Sequence, residues 1–145
     1  MINRRRLIRL TQDLIRINSE NPPGDEEKIA RFVKKRLDRL GFSSRIYTFK
    51  KKRGNIVGIL AGRKKKRSLL LTPHLDTVPA GRNWHIPPFS GRIKQDKIYG
   101  LGATDCKGNI ASALEALQSL VEDKVRLDYN LVFAATADEE SGSVF

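Results

Sequence analysis

Two short apolar runs constrain the fold of this chain most strongly. Residues 68–72 and 130–137 are almost continuously apolar and contain mainly Leu, Val, Phe and Ala. Runs of this length and composition are typical of strands that are buried on both faces of a sheet. Because amphipathic helical segments alternate with these runs, the pattern predicts an α/β sandwich.

Three segments have apolar residues at helical spacing. The first covers residues 2–17 and is basic, and residues 21–24, which include two prolines, end it. The second helix is expected to use Asp25 as its N-cap and to end at Gly41. The third is predicted over about residues 107–122.

The other regular segments predict two β-hairpins. The first has strands near residues 45–49 and 55–61, which a basic turn connects. A smaller hairpin is predicted where Ile93 and Ile98 flank Gln95 and Asp96. Neither an internal repeat nor a long low-complexity linker is evident in the sequence.

Hydropathy and cysteine content exclude several classes of protein. The sequence has no uninterrupted run of about eighteen apolar residues, as a membrane span requires, and residues 1–14 mix Arg with Asp instead of forming an apolar signal segment. The single cysteine, Cys106, cannot form an internal disulfide, and no CxxC pair is present. A cytoplasmic protein without a membrane association is therefore expected.

The charge distribution supports an alternative function. The net charge is +12, and residues 1–67 contain 21 basic and 6 acidic residues. A truncated, catalytically inactive domain could use Arg4 to Arg6 and the turns at residues 50–53 and 63–67 to bind nucleic acid or another anionic partner. Only 7% of the residues are aromatic, and no known nucleic-acid-binding signature accompanies the charge. A solvated surface is therefore favoured, and nucleic acid is not expected as a partner.

Three polar clusters lie at predicted strand ends or just before a helix. They are His74 with Asp76, Asp105, and the acidic residues 138–140. Taken singly, each has a structural interpretation as a loop residue, a helix N-cap or a solvated turn. Open α/β sheets place their ligands at such positions, and imidazole and carboxylates together suit zinc. The combined set predicts metal-assisted hydrolysis.

Residues 72–79, 100–108 and 137–140 carry a resemblance to a known family. They resemble the co-catalytic zinc amidohydrolases of the acetylornithine deacetylase, succinyl-diaminopimelate desuccinylase, aminoacylase and glutamate carboxypeptidase group. Residues 21–26 and 84–91 are also similar to this group. The resemblance implies an α/β/α sandwich with a mixed, mostly parallel sheet, of which this chain is the N-terminal part of the catalytic domain. The lid or dimerisation domain and the C-terminal catalytic part are expected outside it.

The resemblance implies a role for each of five residues. His74 would bind one zinc ion, Asp105 would bridge two, and Glu140 would bind the second, with Co²⁺ or Mn²⁺ as substitutes. Asp76 would orient His74, and Glu139 would be the general base. The implied reaction is hydrolysis of an amide bond in an N-acyl amino acid or small peptide, of the deacetylase, desuccinylase or carboxypeptidase type. The complete parent is expected to be a homodimer.

Two departures from the family pattern concern this site. Cys106 stands where the family usually has Met or another apolar residue, and a small packed side chain is favoured over a ligand. The family's remaining ligands, an acidic residue and a distant histidine, are expected beyond Phe145, while His85 is interpreted as a loop residue. We therefore expect little or no hydrolase activity from this chain alone. Residues 21–24 and 102–105 favour the deacetylase and desuccinylase branch.

Overall fold

Three helices and six strands form the described part of the chain. The computed structural model describes residues 1–64 and 66–143. The helices and strands are α1 (Arg4–Ile15), α2 (Glu27–Arg39), β1 (Ser43–Lys50), β2 (Arg53–Leu60), β3 (Ser68–Leu71), β4 (Arg92–Lys94), β5 (Lys97–Tyr99), α3 (Lys107–Glu122) and β6 (Asn130–Ala135). The predicted helices and both hairpins are confirmed. None of the described helices is long and apolar enough to cross a membrane.

Four strands form one mixed sheet in the order β1, β2, β6, β3. The pairs β1–β2 and β2–β6 are antiparallel, whereas β3 and β6 are parallel. Strands β4 and β5 form a separate hairpin. The α/β class and the mixed sheet are confirmed. The expected excess of parallel pairing is not seen among the described strands, because the β1–β2 hairpin joins the sheet through antiparallel pairs.

All three helices pack on one face of the sheet. Helix α2 packs against β1 and β2, and α1 packs against α3. Their apolar residues form one core with Ile56 of β2 and Phe133 of β6, both fully buried. Burial of such a side chain contributes roughly 1.5–3 kcal/mol. The described residues thus supply the sheet and one helical layer of the expected sandwich.

The opposite face of the sheet is apolar and is not covered by any described element. Ile59 and Leu70 flank Val132 in register, and their side chains are 46% and 54% exposed. Leu69 is also 46% exposed, because β3 is an edge strand of the described sheet. The prediction that residues 68–72 are buried on both faces is therefore wrong for this structure.

The start of α2 differs from the sequence expectation. Glu26, not Asp25, directly precedes the first helical residue, and its side chain makes no capping hydrogen bond. The Glu26 carboxylate is fully buried and accepts hydrogen bonds from Arg53 instead. The prediction of Asp25 as the N-cap is wrong, because Asp25 pairs with Lys28 and Lys52 and the Glu27 backbone N–H donates to the Lys52 carbonyl oxygen.

Candidate active site

Parallel pairing of β3 and β6 brings two of the predicted polar clusters together. Beyond the strands the pairing continues in a bridge between His74 and Thr136. The Thr136 backbone N–H donates to Pro73, and the Leu75 backbone N–H donates back to Thr136. The residues after β3 therefore run beside residues 137–140. A further bridge between Glu20 and Thr77 adds the segment before α2.

His74 lies between two carboxylates. Its Nδ1 is 3.0 Å from the backbone oxygen of Asp76 and 3.5 Å from Asp76 Oδ1, while Nε2 is 2.9 Å from Asp105 Oδ1. The hydrogen bond with Asp76, followed by contacts with Cys106 and Asp105, raises the pKa of His74 to about 11 in spite of burial. The Asp76 acceptors on Nδ1 direct Nε2 toward Asp105.

Asp76 is fully buried and connects three segments. Its carboxylate accepts from Asn21 Nδ2 at 2.9 Å and from the backbone N–H groups of Glu139 and Glu140 at 3.2 and 3.0 Å. Burial raises the pKa of Asp76, but hydrogen bonds from His74, Asn21 and these two amides outweigh it and hold the pKa at about 2. The ionised carboxylate therefore orients both His74 and the turn that carries the two glutamates.

The other acidic residues line the solvent side of the site. Asp105 is exposed, with 76% of its side chain accessible, and Glu139 is also exposed. Glu140 is half-buried, and burial raises its pKa. Asp105 does not cap α3, because Cys106 occupies the N-cap position and the Asp105 carboxylate contacts His74. The structural interpretation of Asp105 as a helix cap is thus excluded.

The donor atoms fit a metal ion. Two groups have their potential ligand atoms within 4.8 Å of one another: His74, Asp105 and Cys106, and His74, Glu139 and Glu140. The 2.9 Å between His74 Nε2 and Asp105 Oδ1 is close to the roughly 3.3 Å expected between two donors on a tetrahedral zinc. Asp105 and Glu140 belong to different groups, which share His74. Four of the five predicted site residues belong to these two groups, and the fifth, Asp76, contacts His74 Nδ1.

Cys106 and His85 have different relations to this site. Cys106 is buried, and its thiol belongs to the first ligand group. Burial raises the pKa of the Cys106 thiol, but hydrogen bonds with His74 outweigh burial and leave the pKa below its ordinary value. His85 is exposed and belongs to neither ligand group. Its interpretation as a loop residue agrees with this placement.

The sequence analysis missed several buried polar residues beside the site. Asn21 and Asp138 lie within segments quoted for the family resemblance, yet neither received a role. Arg53 was interpreted as part of a basic turn. All three are buried and contact one another: Asn21 Nδ2 and Arg53 Nη2 each lie 3.0 Å from Asp138 Oδ1. Only the N-P-P-G segment offered a signal, because its prolines and glycine mark a chain segment with a special conformation.

A histidine and several carboxylates at the ends of adjacent strands form a set of side chains that suits a metal ion. Residues 70–144 match Peptidase family M20/M25/M40, and the chain belongs to this family. An uncharacterised metallohydrolase of Methanocaldococcus jannaschii is 38% identical over 95% of this chain and 37% of its own length. The succinyl-diaminopimelate desuccinylase of Pelagibacter ubique is 33% identical over 94% of this chain and 36% of its own length.

Solved structures show the same fold. Human carnosine dipeptidase 1 has a TM-score of 0.82 at 24% identity, over 95% of this chain and 33% of that protein. A Staphylococcus aureus tripeptidase has a TM-score of 0.78 at 27% identity, over 98% of this chain and 38% of its own. The expected family is confirmed. The chain spans little more than a third of the length of the two curated relatives, which it covers to 37% and 36%.

Proposed function

We propose that this chain is the N-terminal part of the catalytic domain of a zinc-dependent amidohydrolase that acts on N-acyl amino acids or small peptides. The observation that carries the proposal is that His74 shares one possible ligand group with Asp105 and another with Glu140. Membership of the family supports metal-dependent hydrolysis. The names of the relatives, a desuccinylase and di- and tripeptidases, support an amide bond next to an amino acid.

Each proposed role is the one that the family resemblance implies, and the position of the side chain supports it. His74, Asp105 and Glu140 would hold zinc, or Co²⁺ or Mn²⁺ in its place, with two ions in the complete site. A bound ion activates water and polarises the amide carbonyl. Asp76 holds the His74 ring by accepting from Nδ1. Glu139, exposed at the mouth of the site, takes a proton from water and passes it to the leaving amine.

The proposed complete site needs more groups than these residues supply. If two ions shared Asp105, as the resemblance implies, this chain would supply two protein ligands to each. We propose that further ligands and a lid come from other parts of a longer, homodimeric, cytoplasmic protein. The coverage of the curated relatives, 37% and 36% of their lengths, supports this assignment. The 145-residue chain should then have little or no hydrolase activity.

Metal binding by the purified chain tests the proposed site. Titration with Co²⁺ should produce visible absorption bands from a bound ion, and His74→Ala should abolish them. His85→Ala is the matched control, because His85 is the other histidine of the sequence and is exposed away from both ligand groups. Equal Co²⁺ absorption from the wild-type chain and from His74→Ala would overturn the site.

Hydrolysis is tested on the native polypeptide from its source, after its intact mass has been measured. The substrate panel contains N-succinyl and N-acetyl amino acids and dipeptides, with and without added Zn²⁺ or Co²⁺. We expect metal-dependent release of an amino acid by a polypeptide heavier than 16.4 kDa. A native mass of 16.4 kDa without hydrolysis of any panel member would contradict the proposal.

The structure gives less support to the alternative function as an anion-binding surface. In the second basic turn, Arg63 and Lys64 pair with Asp128 at 2.6 and 2.8 Å. In the first, Arg53 is buried in an ion pair with Glu26. Arg53 is thus compensated by a carboxylate, and Arg63 and Lys64 share one, which lowers the electrostatic contribution of these turns to phosphate binding. We therefore propose no nucleic-acid partner.

A further inference from the structure

A network of buried polar side chains leads from the start of α2 to Asp76. Its members, in order of contact, are Glu26, Arg53, Asp138, Asn21 and Asp76, and each is at most 6% exposed. Arg53 donates to Glu26 through Nε at 3.0 Å and through Nη2 at 2.5 Å. Arg53 Nη2 also donates to Asp138 at 3.0 Å. We refer to these five residues as the buried polar network.

Asn21 links the two carboxylates nearest the site. Its Nδ2 donates to Asp138 Oδ1 at 3.0 Å and to Asp76 Oδ2 at 2.9 Å. An amide NH₂ can donate two hydrogen bonds from one nitrogen without adding charge. Asn21 therefore connects a residue after β3 with a residue after β6. Without this bridge, Asp76 and Asp138 would each lose a hydrogen-bond donor in a buried environment.

We propose that Asn21 and Arg53 are positioning residues that set His74 and Glu140 in the geometry that binds a metal ion. The proposal rests on the proposed metallohydrolase function. Asn21 acts on His74 through Asp76, which contacts His74 Nδ1 and accepts the Glu140 backbone N–H. Arg53 acts through Asp138, which directly precedes the two glutamates. Neither residue is a ligand in this proposal.

The turn of residues 138–140 is held from two sides. Asp76 accepts its backbone amides at Glu139 and Glu140, and Asn21 and Arg53 bind the Asp138 side chain. Asp138 has a φ of +70°, which Asp adopts more readily than most residues. A change in the Asp138 contacts should therefore alter where Glu139 and Glu140 project.

The charges of the buried polar network explain why Arg53 is needed. The network contains three carboxylates and one guanidinium, all buried. Loss of the guanidinium would remove the ion pairs with Glu26 and Asp138, and breaking a buried ion pair by removing one partner is strongly destabilising. The Asp138 side chain would then lose the Arg53 contact that helps to hold the turn carrying Glu140. The constraint therefore depends on the Arg53 charge as well as on its shape.

Arg6, whose side chain is 23% exposed, forms an ion pair outside the buried polar network and provides a control. Arg6 of α1 donates to Glu115 of α3 through Nε at 2.6 Å and Nη2 at 2.9 Å, and the Glu115 side chain is 1% exposed. Arg6→Gln removes a guanidinium that donates two hydrogen bonds to one carboxylate, as Arg53→Gln does. Both Arg6→Gln and Arg53→Gln should lower the thermal unfolding midpoint. Only Arg53→Gln should change metal binding.

The experiment measures Co²⁺ affinity for the 145-residue chain and its variants by competition with a chelator. Asn21→Leu and Arg53→Gln should weaken binding by about ten- to hundredfold, the usual effect of losing an outer-shell partner. Arg53→Lys, which keeps the charge, should recover part of the loss. Arg6→Gln should bind as the wild type does. Equal affinities for folded Arg53→Gln, Asn21→Leu and wild type would overturn the proposal.

A second measurement applies to variants of low stability and separates this proposal from the proposed function. The ring-proton NMR signals of His74 should shift in folded Asn21→Ser and Arg53→Lys, while those of exposed His85 should not. Unchanged His74 signals would overturn the positioning role. A wild-type chain that binds no Co²⁺ would overturn the proposed function, and the His74 signals would still test the positioning role.

Discussion

Metal binding to this chain should release the proton that His74 carries. The pKa of His74 is raised to about 11, chiefly by Asp76, so the metal-free chain holds an imidazolium at neutral pH. A metal ion can bind Nε2 only after that proton has left. Binding should therefore release about one proton per ion, and the affinity should rise about tenfold for each pH unit.

The pH range of this effect distinguishes the raised pKa from an ordinary one. A histidine with the usual pKa of about 6.5 is already neutral above about pH 7.5, so the affinity would then be constant. With a pKa of about 11, the increase should continue from pH 7 to pH 9. Asp76→Asn removes the main cause of the raised His74 pKa. In this variant the metal affinity should therefore stop increasing in the upper part of this pH range.

Two assays measure this release. Calorimetric Co²⁺ titrations in buffers of different ionisation enthalpy count the protons, and chelator competition at several pH values gives the slope. Cys106→Ala is the control, because a bound thiol would release a proton of its own; this variant should still release about one. A wild-type affinity that does not change between pH 7.5 and 9 would refute the reasoning.

Three further changes test other parts of the structure. Glu139→Gln in the complete enzyme should reduce turnover about 10²- to 10⁴-fold while Co²⁺ binding persists, and an unchanged rate would exclude Glu139 as the base. Gly24→Ala introduces a Cβ at φ +81° and 2.5 Å from the Arg53 guanidinium. It should lower the thermal unfolding midpoint more than Gly41→Ala does, because Gly41 has a similar φ of +83° but no atom within 4 Å of the added Cβ. Equal losses would show that the contact with Arg53 is unimportant. The Asp76 carboxyl has its pKa lowered to about 2, so its stabilising contribution is present above pH 3.8 and is lost as the pH falls toward 2. The Asp76→Asn variant should not show this loss of stability when it is titrated with acid. Identical acid unfolding transitions of the variant and the wild type would contradict the lowered pKa of Asp76.

The main elements and the site were predictable because their signals are local. Helical spacing, turn residues and apolar runs each depend on a few neighbouring residues. The approach of His74 to the acidic residues 138–140 follows from one non-local rule, that the ends of adjacent parallel strands meet. The apolar runs predicted that both faces of the sheet are covered, and exposed Leu70 shows that such a run alone does not decide this.

Arg53 could not be singled out from the sequence for a physical reason. It follows three lysines in a basic turn, and nothing local distinguishes it from them. Its burial depends on Glu26 and on the space that Gly24 leaves, and both lie before α2. Another non-local contact occurs at the start of α2, where the Glu27 backbone N–H donates to the Lys52 carbonyl and Asp25 pairs with Lys28 and Lys52. The sequence around Asp25 does not reveal the part that Lys52 plays in these contacts.

The overall charge and the charge of the site lead to opposite expectations for ligands. The net charge of +12 is distributed over largely exposed side chains, and salt screens such charges beyond about 8–10 Å. At the site, Asp76, Asp105, Glu139 and Glu140 surround one histidine, and Asp76 is fully buried. Local charge at short range and low dielectric dominates what a site binds. The site therefore favours a divalent cation, even though composition alone would favour an anionic partner.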